Sequence, residues 1–206
     1  MKSNLKKIAR ILFLSTLIVS CDKTDDEPVV VTKCDSTNTD FKQLYNQTVA
    51  LTSPVPNQDN VTYDSEIHSY TFEVTSSKRI CSVGYQSQPA LSSTPYKIEV
   101  WDETPSTPLL VGTLSATFSS TTTSYVAFPT AIPLTVGNKY KIKRIQTNWG
   151  TNIGNTIGRM VHTVTGAPLS AFPYTFGSLK ITGSSLYQNA GTMTDWAIPF
   201  IDIVFE

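Results

Sequence analysis

The chain has 206 residues, 40% of them hydrophobic, and its 16 Lys and Arg residues balance 16 Asp and Glu residues. A chain of this length can bury the core of one domain, whereas two domains would be small. Because the charge is balanced, there is no electrostatic basis for nucleic-acid binding, and no nucleic-acid partner is expected.

The N-terminal segment has the pattern of a secretory signal peptide. Its cations are Lys2, Lys6, Lys7 and Arg10. Residues 11–19 are almost wholly apolar, but this run is too short to cross a bilayer, which needs about 20 apolar residues. A basic head, a short apolar core and a small residue at the end predict a signal peptide over residues 1–20. Its removal leaves twelve Lys and Arg against sixteen Asp and Glu, a net charge of −4.

The end of this segment, Ile18-Val19-Ser20-Cys21, resembles the lipobox of bacterial lipoproteins. The resemblance implies cleavage before Cys21, lipidation of its thiol and a membrane anchor made by the acyl chains. An ordinary signal cleavage site is the alternative. The acidic residues that follow resemble export signals of surface lipoproteins in one large group of Gram-negative bacteria. The expected location is therefore the outer membrane, on the cell surface, with the periplasmic face as the alternative.

Residues 21–33 lack apolar periodicity and are rich in acids, which predicts a flexible tether. A single domain is predicted over residues 34–206. Its cysteines, Cys34 and Cys81, form an even pair in an exported chain, so a disulfide bond is the favoured prediction. Two free thiols, with Cys81 buried as a small apolar residue, are the alternative.

The domain begins with a stretch that can form a turn of helix, residues 39–48, and strand patterns follow. In the first clear strand the residues on one face are His68, Tyr70, Phe72 and Val74. Residues 79–87 and 96–102 alternate in the same way, and six further strand segments follow. Period-two alternation and turn-forming separators predict an all-β chain of about eight or nine strands. The predicted fold is a two-sheet antiparallel β-sandwich of the jelly-roll kind.

The middle of the chain and its last strand resemble a kind of bacterial extracellular module. The likeness rests on a strand ending in Val100-Trp101-Asp102, a closing strand over residues 201–205 and a hairpin that contains Pro133, Leu134, Thr135, Gly137 and Tyr140. Such modules are jelly-roll sandwiches, many of unassigned function, and are similar in plan to carbohydrate-binding modules. The resemblance implies a fold more than a function.

Three lysines share one face of a predicted strand, because Lys139, Lys141 and Lys143 alternate with Tyr140 and Ile142. One interpretation is a basic stripe for an anionic glycan or a lipid headgroup. The other, which the sequence favours, is a solvated face whose lysines protect a sheet edge from aggregation.

No catalytic centre is evident, and a non-catalytic protein is expected. His68 and His162 lie far apart in strand patterns, and neither a zinc-hydrolase motif nor a nucleophile elbow is present. Asp102 and Glu103 are adjacent and would point to opposite faces of a strand, although Asp195 could complete a glycosidase pair. No cofactor is expected; the fold type is compatible with a structural calcium ion, but no ligands can be assigned.

Carbohydrate binding requires exposed aromatic rings flanked by polar groups. The candidate ligand-binding residues are Trp149, Asn148, Asn152, Tyr174, Trp196 and Arg159. The leading hypothesis is a lipid-anchored module of the cell envelope that binds a glycan or another extracellular ligand. The first alternative is a structural or adhesion component that docks a partner envelope protein. A glycan-processing enzyme ranks third.

Overall fold

The fold comes from a computed structural model, which describes residues 34–206 except 63–64, 153–157, 170–171 and 189–190. The predicted signal peptide, the tether and Cys21 lie outside the described residues. In chain order the elements are α1 (Asp40–Val49), β1 (Asn57–Thr62), β2 (Ile67–Val74), β3 (Lys78–Tyr85), a 3₁₀ helix (Pro89–Leu91), β4 (Tyr96–Asp102), β5 (Leu109–Ala116), β6 (Ser124–Leu134), β7 (Tyr140–Ile145), α2 (Trp149–Asn152), β8 (Gly158–Thr163), β9 (Tyr174–Phe176), β10 (Leu179–Gln188), β11 (Gly191–Thr194), β12 (Ala197–Pro199) and β13 (Asp202–Phe205).

Helix α1 forms because its apolar residues recur at helical spacing behind a good N-cap. A backbone N–H of the first turn donates to the Thr39 hydroxyl at 3.0 Å, which satisfies one of the free amides there. Phe41, Leu44 and Tyr45 are buried on one face. The helical turn predicted over residues 39–48 is confirmed. None of the described helices is both long and apolar enough to span a bilayer.

The thirteen described strands pair antiparallel in three sheets. The largest sheet has seven strands, in the order β11-β10-β2-β7-β4-β5 with β9 also beside β10. The two smaller sheets have the orders β13-β3-β6 and β1-β8-β12. Three of its six strand pairings, β10-β2, β2-β7 and β7-β4, join strands that are not consecutive in the chain, so the middle of the sheet depends on long-range pairing.

One hydrophobic core joins the seven-stranded sheet to both smaller sheets and to α1. Tyr85 of β3 packs edge-to-face on Tyr96 of β4, with ring centroids 5.2 Å apart. The Tyr70 hydroxyl of β2 donates to the Ile201 carbonyl at 2.7 Å, between β12 and β13. Phe41 of α1 stacks on Tyr70 at 5.4 Å. These contacts connect the layers of a β-sandwich.

The predicted all-β antiparallel fold is confirmed, but the described residues form thirteen strands in three sheets instead of eight or nine in two. Strands β9, β11 and β12 have only three or four residues, too few to produce a clear alternation. The two smaller sheets are separate because the chain turns between β12, in one of them, and β13, in the other. At this turn the Ile201 amide donates to the Pro199 carbonyl at 2.9 Å. A run that looks like one strand in the sequence therefore enters two sheets.

The predicted disulfide bond between Cys34 and Cys81 is confirmed. It joins the start of the described chain to β3 across 47 residues of sequence. In the chain-entropy model, closing a loop of that length stabilises the fold by about 4 kcal/mol. The bond therefore ties the first described residue to the sheet that contains β3.

Buried Asp202 connects α1 to the sheet that contains β13 and β6. The Thr39 hydroxyl donates to its Oδ1 and the Tyr125 hydroxyl donates to its Oδ2, each at 2.6 Å. Burial raises the pKa of Asp202 to about 6, although the two hydrogen bonds and the ammonium of Lys42, 3.9 Å away, favour its charged form. One carboxyl group thus holds the start of the helix against two strands.

Candidate functional site

The seven-stranded sheet has one face against the core and one face toward solvent. On the outward face, Lys141 of β7, Thr71 of β2 and Gly183 of β10 are side by side in register. A second row on the same three strands consists of Lys143, Ser69 and Ser185. Because alternate residues share a face, this surface has long side chains on β7 and small ones on β2 and β10.

The difference in side-chain size creates a groove of about 450 Å³. Its lining residues are Thr71, Lys139, Lys141, Thr182, Gly183, Ser184, Ser185, Thr192, Thr194 and Asp195. Serine, threonine and glycine form the floor, the two lysines form one wall, and β11 with Asp195 forms the other. The volume lies within the range of roughly 300–1,000 Å³ that is typical of small-ligand sites.

A β-bulge in β10 shapes the floor of the groove. The pairing register with β2 shifts between Ile181 and Gly183, so Gly183 takes the position opposite Thr71. A Cβ atom at Gly183 would lie 3.2 Å from Oδ1 of Asp195, which is closer than ordinary van der Waals contact. The glycine therefore allows the Asp195 carboxylate to approach the strand.

Asp195 is held in place by three hydrogen bonds. Its Oδ1 accepts from the Ser184 amide at 2.8 Å, and its own amide donates to the Ser184 carbonyl at 2.9 Å. The carbonyl of Asp195 accepts from the Leu169 amide at 2.7 Å. Its φ of 55° is left-handed, a conformation that Asp adopts more readily than most residues. The carboxylate is thus an acceptor at a fixed place on the groove wall.

The opposite wall is basic. Lys139 is exposed, and the ammonium of its neighbour Lys141 lies 2.5 Å from the Glu103 carboxylate. Just outside the groove, the Lys143 ammonium lies 4.7 Å from the centre of the Trp101 ring. The three lysines share a face, as predicted. The interpretation that they protect a sheet edge is wrong, because β7 lies between β2 and β4 in the interior of the sheet.

The groove combines ammonium, hydroxyl and carboxylate groups. Among its described lining residues Asp195 is the only carboxylate, so these residues do not form a facing carboxylate pair. Asp102 accepts instead from the Thr104 amide at 2.9 Å and from Asn138 Nδ2 at 3.0 Å, in a turn. Within the described ranges, no group of three or more His, Cys, Asp or Glu side chains could hold a metal ion.

Trp149, the ring expected to stack on a sugar, is buried. It begins the short helix α2 and is only 9% exposed, so little of its ring is open to a ligand. Asn148 beside it is exposed and adopts a left-handed conformation, with φ 57°. The side chain of Asn152 lies outside the part of the chain that the structure describes.

Trp196 and Arg159 make their main contacts within the protein. The Trp196 ring stacks on His162 with centroids 5.0 Å apart, and its Nε1 donates to the Gly166 carbonyl at 2.7 Å. Arg159 donates to Asp59 from Nε at 2.9 Å and from Nη2 at 2.6 Å. A ligand would have to displace these contacts to use either side chain fully.

Tyr174 lines a separate and mostly apolar cleft of about 170 Å³, together with Leu51, Pro54 and Pro168. None of the six candidate residues lines the groove on the large sheet. The structure therefore does not bring the candidates together in one site.

Both histidines are buried in strands, and neither lines the groove. His68 Nε2 accepts from the Ser65 amide at 3.1 Å. Burial, assisted by the nearby charge of Arg144, lowers the pKa of His68 well below its usual value. His68 is thus a neutral interior side chain at physiological pH.

The groove floor could not be found from the sequence, because strands distant in sequence form it. Ser69 and Ser185 are 116 residues apart, yet their hydroxyl oxygens lie 2.8 Å from each other. One signal was available: the middle outward positions of β2 and β10 carry Ser, Thr or Gly, whereas those of β7 carry lysine. That pattern predicts a depression only once the two strands are known to be neighbours.

Comparison with known proteins adds no assignment, since no protein-family model matches the chain and no curated protein matches its sequence. A functional interpretation must therefore come from the geometry of the groove.

Proposed function

We propose that the chain is a lipid-anchored, non-catalytic binding module of the cell envelope that holds a carbohydrate in the groove of its seven-stranded sheet. The observation that supports this proposal is the groove itself, with a floor rich in hydroxyl groups between a basic wall and a fixed carboxylate. Sugars carry closely spaced hydroxyl groups, which pair with donors and acceptors held at fixed positions. Thr71, Ser185 and Thr194 offer hydroxyls, and Asp195 offers an acceptor.

The floor of the groove is well suited to hold such a pattern. It lies on β2 and β10, both interior strands of the large sheet. The Ser69 hydroxyl also donates to the Ser185 carbonyl at 3.0 Å, which links the two strands through a side chain. Groups that are already ordered lose little conformational entropy when a ligand binds, so a rigid floor favours affinity.

The location of the module is the second part of the proposal. In this proposal the lipobox-like sequence carries an acyl anchor on Cys21, and residues 21–33 connect it to the sandwich. Labelled palmitate should enter the wild-type protein but not the Cys21→Ser variant. Protease treatment of intact cells then distinguishes the cell surface from the periplasmic face. Palmitate incorporation into Cys21→Ser would contradict the proposed anchor.

Ser185→Trp tests binding in the groove, because the indole fills the floor. Ser115→Trp is the matched control. Ser115 belongs to β5 and pairs with Lys97 of β4, so it lies on the same outward face of the sheet but outside the groove. On a panel of polysaccharides, Ser115→Trp should bind like wild type, and Ser185→Trp should lose affinity by roughly tenfold or more. Thermal unfolding verifies that both variants fold. Equal binding by all three proteins would place the ligand elsewhere.

Docking of a partner envelope protein is the second candidate function, and the edge strand β5 favours it. Leu109, Leu110 and Val111 are exposed, and β5 contains neither proline nor a charged residue. An unprotected edge of this kind can pair with a strand from another protein. Leu110→Lys should then abolish co-purification of a stoichiometric envelope protein and leave carbohydrate binding unchanged. Absence of any such protein with the wild type counts against this function.

A further inference from the structure

Five lysines project from the outward face of the seven-stranded sheet, and their surroundings differ. Three make ion pairs: Lys97 with Glu99 at 2.6 Å, Lys141 with Glu103 at 2.5 Å and Lys180 with Glu73 at 2.9 Å. Lys143 lies over the Trp101 ring. Within the described residues, Lys139 makes no ion pair, and it is exposed in the groove.

Charge is therefore distributed unevenly across the groove. Lys139 and Lys141 place two ammonium groups on one wall, and Asp195 places one carboxylate on the other. The hydroxyl-bearing floor between them is neutral. Because the Lys141 ammonium is paired with Glu103, Lys139 is the ammonium on this wall that has no carboxylate partner among the described residues.

We propose that the groove selects a saccharide that carries an acid group, a carboxylate or a sulfate, directed toward Lys139 and Lys141; this inference rests on the proposed carbohydrate-binding function. Hydrogen bonds between charged groups are roughly twice as strong as neutral ones. An ammonium group has three donors, so Lys141 can bind Glu103 and the ligand acid together. Asp195 repels an acid and accepts from hydroxyls, so each acidic sugar lies across the groove in one orientation.

An anionic membrane surface presents the same kind of charge, but the shape of the site disfavours it. The two lysines line a groove whose other wall is the Asp195 carboxylate. A flat anionic surface laid over this face would also meet the carboxylates of Glu73 and Glu103. A polysaccharide chain can enter the groove and contact the lysines without covering the whole face.

The test compares acidic polysaccharides with their neutral counterparts. Affinity electrophoresis with polygalacturonate and with its carboxyl-reduced form changes the acid group and keeps the chain. Dextran sulfate and dextran give the same comparison for sulfate, and phosphatidylglycerol vesicles test a lipid headgroup. The proteins are wild type, Lys139→Met, the double variant Lys139→Met/Lys141→Met and the control Lys97→Met. Lys97 lies on the same face but outside the groove.

Wild type and Lys97→Met should bind one of the acidic polymers roughly tenfold or more tightly than its neutral form. Lys139→Met should weaken that preference and the double variant should lose it, while added salt weakens binding of the acidic polymer. Equal affinity for acidic and neutral polymers, or a preference unchanged in the double variant, overturns this inference and leaves carbohydrate binding intact. If no polysaccharide binds, the proposed function fails as well, and binding to vesicles alone would identify a membrane surface as the ligand.

Discussion

At Asp202, burial and hydrogen bonding act in opposite directions on one carboxyl group, and burial has the larger effect. Its pKa rises to about 6 in the folded protein, against about 3.9 for an exposed Asp. The folded state therefore keeps a proton that the unfolded chain releases. The stabilisation from this proton is complete below about pH 4 and is lost as the pH rises through about 6.

We expect the free energy of unfolding of wild type to fall, relative to Asp202→Asn, as the pH rises through this window. The slope for one proton is at most about 1.4 kcal/mol per pH unit. Urea unfolding of both proteins at several pH values between about 4 and 7 measures it. Parallel pH profiles for the two proteins would show that Asp202 has an ordinary pKa.

Trp149 shows how a residue's environment decides its role. The sequence-based hypothesis makes Trp149 an exposed aromatic ring that binds a sugar, and loss of such a ring would abolish binding without changing stability. Because the ring is buried, we expect Trp149→Ala to lower the free energy of unfolding by about 3 kcal/mol, through lost packing and a cavity. The folded variant should retain its affinity for the selected polysaccharide. Urea unfolding and affinity electrophoresis distinguish the two accounts, since unchanged stability with lost binding would restore the original hypothesis.

At the scale of elements, α1 depends on one threonine that has two roles. The Thr39 hydroxyl accepts from the Lys42 amide at the N-cap and donates to Asp202. Thr39→Ala removes both contacts and should cost about 2 kcal/mol of unfolding free energy. Thr39→Ser keeps the hydroxyl and is the matched control, expected to lose much less. Equal losses in the two variants would mean that the methyl group, and not the hydroxyl, stabilises the helix start.

The elements that could be predicted are those with a strong local pattern. Strands β2, β4 and β7 alternate apolar and polar residues over six to eight positions, and each lies where expected. Other features depend on contacts that no local pattern specifies. The turn at Pro199 that separates β12 from β13 and the bulge before Gly183 are both of this kind.

At the scale of the whole molecule, period-two alternation was sufficient to predict the all-β antiparallel fold, and an even pair of cysteines behind an export signal favoured the bond between Cys34 and Cys81. The candidate site was not predictable in the same way. It arises because the sheet order places β2 between β10 and β7, so that small residues from two strands lie beside the lysines of a third. The aromatic residues selected from the sequence were expected to be exposed, and long-range packing instead buries Trp149 and covers part of Trp196.

The most direct test of the account is to locate the bound carbohydrate by NMR. An oligosaccharide from the best-binding polysaccharide of the panel is titrated into isotope-labelled Cys21→Ser protein, and amide shifts are followed. We predict that the largest saturable changes lie around Thr71, Gly183 and Thr194 on the outward face of the large sheet. Saturable changes confined to the loops near Asn148, or to the β5 edge, would contradict the assignment of the groove as the binding site.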